Sequence, residues 1–274
     1  MSTRPPKSRF RGDDAMTARS YRGPMSLPTP PNPLHRARDL DPPTLTPAAL
    51  RAEQQVTLSA PPRPSHIVVA VLTVLIGLLY GRRASLPKFL VLEHLARVPY
   101  RSWERVAQRR IIRAHGRSAL ARRIQLRVDE ARSQHDNEQW HLLVLEEQLA
   151  RGRHRLPRLR FRVLPRLLAG PWHMTTWLLH LVKPAWSYGL NAAFEDHAER
   201  EYMHFVAANP QFEHEPFDSE LADRWDHSVS VADVLRQIGH DERIHKLESI
   251  SAARAERSQS AEDTTKPTDL DAAA

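Results

Sequence analysis

The sequence contains no cysteine, which excludes disulfide bonds, thiolate metal ligands and cysteine nucleophiles. Any metal ion would therefore be held by oxygen and nitrogen atoms. Glycine is scarce, at 9 of 274 residues, and neither strand alternation nor hairpin turns are visible, so the sequence predicts an all-α protein. Long apolar runs are also missing. The best one, Ile67 to Tyr80, has 14 residues, whereas a transmembrane helix needs about 20.

The charge balance is basic and dominated by arginine. Lys+Arg exceeds Asp+Glu by 40 to 32, and only five of the 40 are lysine. Such a surplus suits a negatively charged partner, which is membrane phospholipid, nucleic acid or an acidic protein. No apolar segment follows the early arginines, so the N-terminus does not resemble a secretion signal.

Proline marks the division of the chain. Residues 1–64 hold 13 of the 22 prolines and are predicted to be a disordered Pro/Arg-rich arm. A polar tail, 258–274, is expected to be disordered as well. The body, 65–257, is predicted to be a helical bundle with helices at about 66–80, 86–98, 117–150, 172–183, 187–208 and 230–256, and with a basic connector at 151–162.

One helix directs polar side chains toward the side that it buries. In "HDNEQWHLLVLEEQL" the apolar stripe of Leu142, Leu145 and Leu149 continues backwards onto Glu138 and His141. Residues three apart on a helix are neighbours, so this acid and this histidine can bind one ion together.

Three further helices show the same feature. Glu242 and His245 continue the stripe of a later helix in the same Glu-x-x-His spacing. Glu93 shares a helix face with Phe89 and Ala96, and Glu195 shares one with Ala198, Tyr202 and Phe205.

Four buried carboxylates need compensating cations. Burying an unpaired charge costs roughly several kcal/mol, and four such costs exceed the stability of an ordinary domain. Two divalent metal ions would neutralise the four acids. One Glu from each of two helices plus Glu-x-x-His from two others is the ligand set of the ferritin-like four-helix bundle with a di-iron or di-manganese carboxylate core. A single Glu-x-x-His is common on charged helices, so the prediction rests on the whole set.

The motifs that carry these residues resemble those of the alternative oxidases, which are di-iron quinol oxidases. The family motifs L-E-T, N-E-R-M-H, L-E-E-E-A and R-A-D-E-A-H-H correspond to "LEH" at 92–94, "NEQWH" at 137–141, "FEDHA" at 194–198 and "GHDERIH" at 239–245. "VPY" also follows the first motif as V-P-G does in the family. The match covers roughly 66 to 250, and the chain resembles a divergent member.

The resemblance implies a role for each matching position. Two iron ions would be bound by Glu93, Glu138, His141, Glu195, Glu242 and His245. Tyr202 would be a redox-active tyrosine beside the metals, Asp241 would move protons or orient a histidine, and Asn137 would orient a ligand through a hydrogen bond. The quinol pocket would include Lys88, Leu92 and Ala198. Departures concentrate in that pocket, because His94 replaces the threonine of L-E-T, Lys88 an arginine, and Glu201 a small hydroxyl residue.

The implied function is oxidation of ubiquinol or menaquinol coupled to the four-electron reduction of O2 to water, without proton pumping. By resemblance, the protein would be a homodimer bound to one leaflet of the membrane. The two short interfacial helices would come from Ile67–Tyr80 and from 171–182, where Trp172 and Trp177 suit the headgroup boundary. The cytoplasmic face of a bacterial inner membrane is favoured as the location, with the mitochondrial inner membrane as the alternative.

Two other functions remain open. A demethoxyubiquinone hydroxylase has a similar bundle and ligand set but inserts oxygen into the quinone ring. A metal-free, arginine-rich helical protein that binds nucleic acid would also fit the charge. The basic residues are scattered and no nucleic-acid-binding motif occurs, so no nucleic-acid partner is expected.

Overall fold

The computed structural model describes residues 42–61 and 66–265, with side chains as far as 258. The described residues form seven α-helices and no strand, so the prediction of an all-α protein is confirmed. The helices are α1 (Pro47–Ser59), α2 (Ile67–Tyr80), α3 (Leu86–Arg113), α4 (Ser118–Arg151), α5 (Leu164–Val182), α6 (Pro184–Ala208) and α7 (Val231–Thr265). A π-helical turn, Leu159–Val163, leads into α5.

Two helix pairs form the centre of the molecule. The helices α3 and α4, joined by a short turn, pack along each other, and α6 packs along α7. The helix α5 lies against α3 and α6, and the main apolar core includes buried side chains of α3, α4, α6 and α7. This arrangement surrounds the middle turns of the four long helices with apolar side chains.

The helix α3 continues past its predicted boundary near residue 98. Pro99 lies inside α3, which ends at Arg113 rather than near residue 98. Proline has no N–H to donate to the carbonyl four residues earlier. The Nε1 of Trp172 in α5 donates to that carbonyl, the oxygen of Leu95, at 3.2 Å. A side chain of the neighbouring helix therefore satisfies the acceptor that Pro99 leaves free.

The prediction that residues 1–64 are disordered is wrong for α1. Thr46 caps this helix and Pro47 begins it, and the buried side chains are Leu50, Gln54 and Thr57. The Nε2 of Gln54 donates to the Met203 carbonyl at 2.8 Å, and Thr57 donates to Glu199 at 2.6 Å. Two of the three buried residues are polar, so the helix shows no apolar stripe in the sequence. Residues 1–41 and 62–65 lie outside the described residues.

Other boundaries also differ from the prediction. The helix α5 begins at Leu164, eight residues before its predicted start, and includes Pro171. The helix α7 continues to Thr265, so the predicted tail at 258–274 begins too early, and residues 266–274 lie outside the described residues. Among the described helices, none combines the length and the apolar character that crossing a membrane requires.

Candidate metal centre

Six acidic and histidine side chains from four helices lie in the middle of the core. Each is at most 1% exposed. The helix α3 contributes one acid, α4 and α7 each contribute an acid and a histidine three residues later, and α6 contributes one acid. The residues are Glu93, Glu138, His141, Glu195, Glu242 and His245. The structure therefore brings together all six side chains that the sequence singled out.

Their ligand atoms form two overlapping groups that could each hold a metal ion. The first contains Glu93, Glu138, His141 and Glu242, and the second contains Glu138, Glu195, Glu242 and His245. Within each group the ligand atoms lie within 4.8 Å of one another. Glu138 and Glu242 belong to both groups, and a carboxylate has two oxygens. The geometry thus suits two ions bridged by two carboxylates and each completed by one further acid and one imidazole.

The two imidazoles direct their Nδ1 atoms into the cluster. The Nδ1 of His141 lies 3.2 Å from Oε2 of Glu93 and 3.4 Å from Oε1 of Glu242. The Nδ1 of His245 lies 2.8 Å from Oε1 of Glu138. Both histidines therefore present the same nitrogen to the carboxylates.

The other nitrogen of His141 has a partner of its own. Its Nε2 lies 3.1 Å from Oδ2 of Asp241, and Asp241 also accepts from Gln237 at 2.7 Å and from Asn137 at 3.5 Å. A carboxylate that accepts from Nε2–H leaves the lone pair on Nδ1, which is the tautomer that binds a metal ion. Asp241 and Asn137 thus lie where they can orient His141.

Burial and hydrogen bonds shift the pKa values of the four acids in the cluster. Burial raises the pKa of Glu93 to about 8, and burial together with the neighbouring carboxylates raises the pKa of Glu195 and Glu242 well above the ordinary value. Burial also acts to raise the pKa of Glu138, but hydrogen bonds from His141 and His245 outweigh it and lower the pKa.

The histidines show the reverse shift. Burial lowers their pKa, but the hydrogen bonds of His141 with Asp241 and of His245 with Glu138 outweigh it and leave both pKa values raised. These shifts favour protons on the carboxyls and imidazoles when no metal ion is bound, and metal ions would compete with those protons for the same atoms.

Several buried atoms in the cluster have no hydrogen-bond partner in the described part of the chain. They are Oε2 of Glu138, Oε2 of Glu195, both oxygens of Glu242 and Nε2 of His245. An unpaired buried polar atom typically costs about 1–3 kcal/mol. Four of these five atoms are carboxylate oxygens of residues in the two groups, so the orphaned atoms match the donors that a metal pair requires.

Two tyrosines contact the cluster. Tyr202, which the sequence analysis selected, donates to Oε1 of Glu93 and stacks on Phe89 with ring centroids 4.0 Å apart. Tyr100, to which no role was assigned from the sequence, donates to Oε1 of Glu195 at 2.8 Å. Its position seven residues after Glu93, on the same face of α3, is the signal that would have identified it.

The predicted quinol-pocket residues lie close to one end of the cluster. Lys88, five residues before Glu93, has its Nζ 3.2 Å from Oε2 of Glu201, and its side chain is only 4% exposed. Leu92 and Ala198 are buried in the core. His94, which replaces the family threonine, lines a different cavity of about 270 Å³ with Arg97, Arg162 and Arg166.

A further cleft, of about 780 Å³, is lined by Asn137 and Asp241. Buried Trp225 also lines it, and the Trp225 ring centroid lies 6.1 Å from that of His141. The residues that orient His141 are therefore accessible from a polar cleft.

No protein-family model, no curated protein and no solved structure matches the chain.

Proposed function

We propose that this protein is a membrane-associated di-iron quinol oxidase of the alternative oxidase type, with a ferritin-like four-helix bundle formed by α3, α4, α6 and α7. It would couple quinol oxidation to the four-electron reduction of O2 to water, without pumping protons. One observation carries the proposal: two four-ligand groups share Glu138 and Glu242 inside a fully buried core. Two Glu-x-x-His helices and two single-Glu helices supply the ligands, as in di-iron carboxylate bundles.

The ligand set favours iron among the metals. Its donors are four carboxylates and two imidazoles, and the sequence offers no thiolate. Structural zinc sites are mostly tetrahedral and rich in cysteine and histidine, whereas carboxylate-rich sites with imidazole suit iron or manganese. Iron is the one of these two that is proposed here, because reduction of O2 needs a metal that readily changes its oxidation state.

The roles of the chain's own residues follow from their contacts. A bound iron pair would supply the electron-transfer chemistry with O2. Glu138 and Glu242 would hold both ions together, and Asp241 would keep the proton of His141 on Nε2. Tyr202 donates to the Glu93 carboxylate in a dry environment that raises its pKa well above the usual range, so it keeps its proton until it is oxidised.

Quinol would approach on the side of Lys88, Leu92 and Ala198. This side differs from the family pattern in two residues that contact each other, because Lys88 and Glu201 form an ion pair. The pair neutralises two charges that a quinol would otherwise meet. The quinol preference of this protein would therefore depend on how that pair rearranges.

Two exposed apolar stripes support a location on one leaflet of a membrane. On α2 the exposed side chains are Ile67, Val71, Val74 and Leu78, and on the π-turn and α5 they are Leu159, Val163, Leu167, Met174, Leu178 and Val182. Tyr80 at the end of α2 packs on Phe161 at the start of the π-turn, with ring centroids 5.5 Å apart. The neighbouring arginines 162 and 166 have no ion-pair partner among the described residues, so they are available to lipid phosphate.

Anaerobic reconstitution with ferrous iron followed by oxygen uptake tests the proposal. We expect about two irons per chain and quinol-dependent, cyanide-insensitive consumption of O2 with water as the product. Labelled ¹⁸O2 identifies the alternative, since a hydroxylase would place the label in the quinone ring. A purified protein that takes up no iron under these conditions would rule out both enzymes.

A further inference from the structure

A line of aromatic rings leads from the candidate metal centre to a surface cavity. The ring centroids of His245 and Tyr100 are 5.8 Å apart, those of Tyr100 and Trp103 are 5.2 Å apart, and those of Trp103 and Tyr188 are 4.5 Å apart. Each ring therefore contacts the next. The roles proposed for the metal centre use neither Trp103 nor Tyr188.

The inner end of this line is joined directly to a ligand. The hydroxyl of Tyr100 donates to Oε1 of Glu195 at 2.8 Å and accepts from Nδ2 of Asn191 at 3.2 Å. Tyr100 is fully buried. With metal ions bound, Glu195 would be a carboxylate, and its Oε1 would be the proton acceptor for the Tyr100 hydroxyl.

The outer end opens to solvent. Trp103 and Tyr188 line a cavity of about 180 Å³ between α3, α4, α6 and α7, which exposed Glu130 and Glu248 also line. The Nε1 of Trp103 donates to Oγ of Ser187 at 2.8 Å. A small polar molecule in this cavity would lie against both aromatic rings.

Among the described residues, the ring contacts of Tyr202 lead only to phenylalanines. It stacks on Phe89, which in turn packs on Phe205, and Phe205 packs on Phe212. Phenylalanine is not oxidised under conditions that oxidise tyrosine or tryptophan. An oxidised Tyr202 would therefore be confined, whereas an oxidised Tyr100 has an oxidisable neighbour.

We propose that Tyr100, Trp103 and Tyr188 form an electron relay that carries single electrons from a small water-soluble reductant in the cavity to the oxidised metal centre. The relay rests on the proposed function, which supplies the oxidant: a centre that has reacted with O2 while quinol is lacking. It would protect the ligands from oxidation in that state. The relay is a feature of this chain, because Tyr100 stands where the family that the sequence resembles has the glycine of V-P-G.

The electrons and protons balance at each step. Tyr100 gives one electron to the centre, and its hydroxyl proton moves along the hydrogen bond to Glu195. Trp103 then gives one electron to Tyr100, which recovers its proton, and Trp103 remains as a radical cation that keeps its N–H. Tyr188 then gives one electron to Trp103 and releases its hydroxyl proton to water in the cavity. A one-electron donor such as ascorbate finally gives one electron to Tyr188, which takes a proton back from water.

Electron paramagnetic resonance tests the relay on the iron-loaded protein. Protein reconstituted with two ferrous irons per chain is mixed with O2 without quinol and frozen at short times. We expect a radical signal whose shape changes when the protein carries ring-deuterated tryptophan, and which ascorbate removes. Trp103→Phe should abolish the tryptophan contribution and slow removal by ascorbate, and Tyr188→Phe should prolong the tryptophan signal. The control is Trp177→Phe, because Trp177 lies on α5 and packs on Arg109 rather than on the relay.

Peptide mass spectrometry gives an independent result. After repeated exposure to O2 without quinol, oxygen adducts should map to Trp103 and Tyr188 in the unmodified sequence and to Tyr100 or His245 in Trp103→Phe. A radical confined to Tyr202, abolished by Tyr202→Phe and unaffected by Trp103→Phe, would overturn the relay while leaving the quinol oxidase intact. Failure to bind iron would instead overturn the proposed function, and the relay with it.

Discussion

The Nε2 of His141 on α4 lies 3.1 Å from Oδ2 of Asp241 on α7. Asp241 directly precedes Glu242, which belongs to both ligand groups. One turn of α7 therefore supplies a carboxylate that belongs to both candidate ligand groups and also the carboxylate that contacts the histidine of α4. Because Asp241 also lines the polar cleft, this orienting contact is the part of the centre nearest to solvent on that side.

Asp241→Asn should weaken metal binding without preventing folding. The asparagine amide has an oxygen that can still accept a hydrogen bond, but it carries no charge to favour the His141 tautomer with its proton on Nε2. Loss of such an orienting group costs roughly 10–100-fold in metal affinity. Competition of ferrous or manganous ion against a chelator measures the change. Asp136→Asn is the matched control, since Asp136 is an exposed acid on the same helix, five residues before His141. Equal affinities of the two variants would show that Asp241 does not orient a ligand.

The shared and unshared acids should differ in metal stoichiometry. Glu93→Ala and Glu195→Ala each remove an acid from one group, so the protein should retain about one metal ion per chain. Glu138→Ala and Glu242→Ala remove an acid from both groups, so both ions should be lost or bound far more weakly. Metal analysis after reconstitution distinguishes these outcomes. If all four variants lose the same amount of metal, the bridging arrangement is wrong.

The effect of Glu195→Gln on stability should show whether Glu195 is a metal ligand or part of a structural polar cluster. In the metal-free protein, burial and the neighbouring carboxylates raise the pKa of Glu195 and so favour its neutral form, and glutamine is also neutral and can still accept from Tyr100. The free energy of unfolding should then change by about 1 kcal/mol or less, whereas breaking a buried charge pair typically costs about 3–5 kcal/mol.

The metal-loaded protein should respond differently to the same substitution. A ligand at 100 times its dissociation constant stabilises the folded state by about 2.7 kcal/mol, and weaker binding reduces that gain. Thermal unfolding of both proteins with and without manganous ion measures the two effects. A large destabilisation of the metal-free variant would indicate that Glu195 is structural.

The sequence predicted the six clustered side chains because helical periodicity alone places them. Glu138 and His141 continue the stripe of Leu142 and Leu145, and all four are buried. The same reasoning failed for α1, whose buried face contains Gln54 and Thr57, because a polar buried face cannot be recognised without its partners. The partners lie far away in the chain, as in the hydrogen bond from Arg236 to Gln54.

Pro99 shows a second limit of prediction from the sequence. The helix was predicted to end near residue 98, yet it continues through Pro99, and the carbonyl that Pro99 leaves free accepts from Trp172 of α5. Tyr100 follows directly, and its contact with Glu195 depends on the helix continuing. The missing N–H of Pro99 is a local property, but whether the helix continues depends on the side chain of Trp172, more than seventy positions away.

The arginines beside the α5 stripe should set the preference for anionic membranes. Arg162 and Arg166 each directly precede an exposed apolar residue, Val163 or Leu167, so phosphate at the arginines would place acyl chains along the stripe. Each basic residue near an anionic surface contributes about 1 kcal/mol to binding. Arg162→Glu with Arg166→Glu should therefore reduce binding to vesicles containing phosphatidylglycerol much more than binding to pure phosphatidylcholine vesicles. Arg122→Glu with Arg123→Glu makes the same charge change at exposed positions of α4. If both pairs reduce vesicle sedimentation equally, net charge alone governs the interaction and the stripe on α5 does not face the lipid.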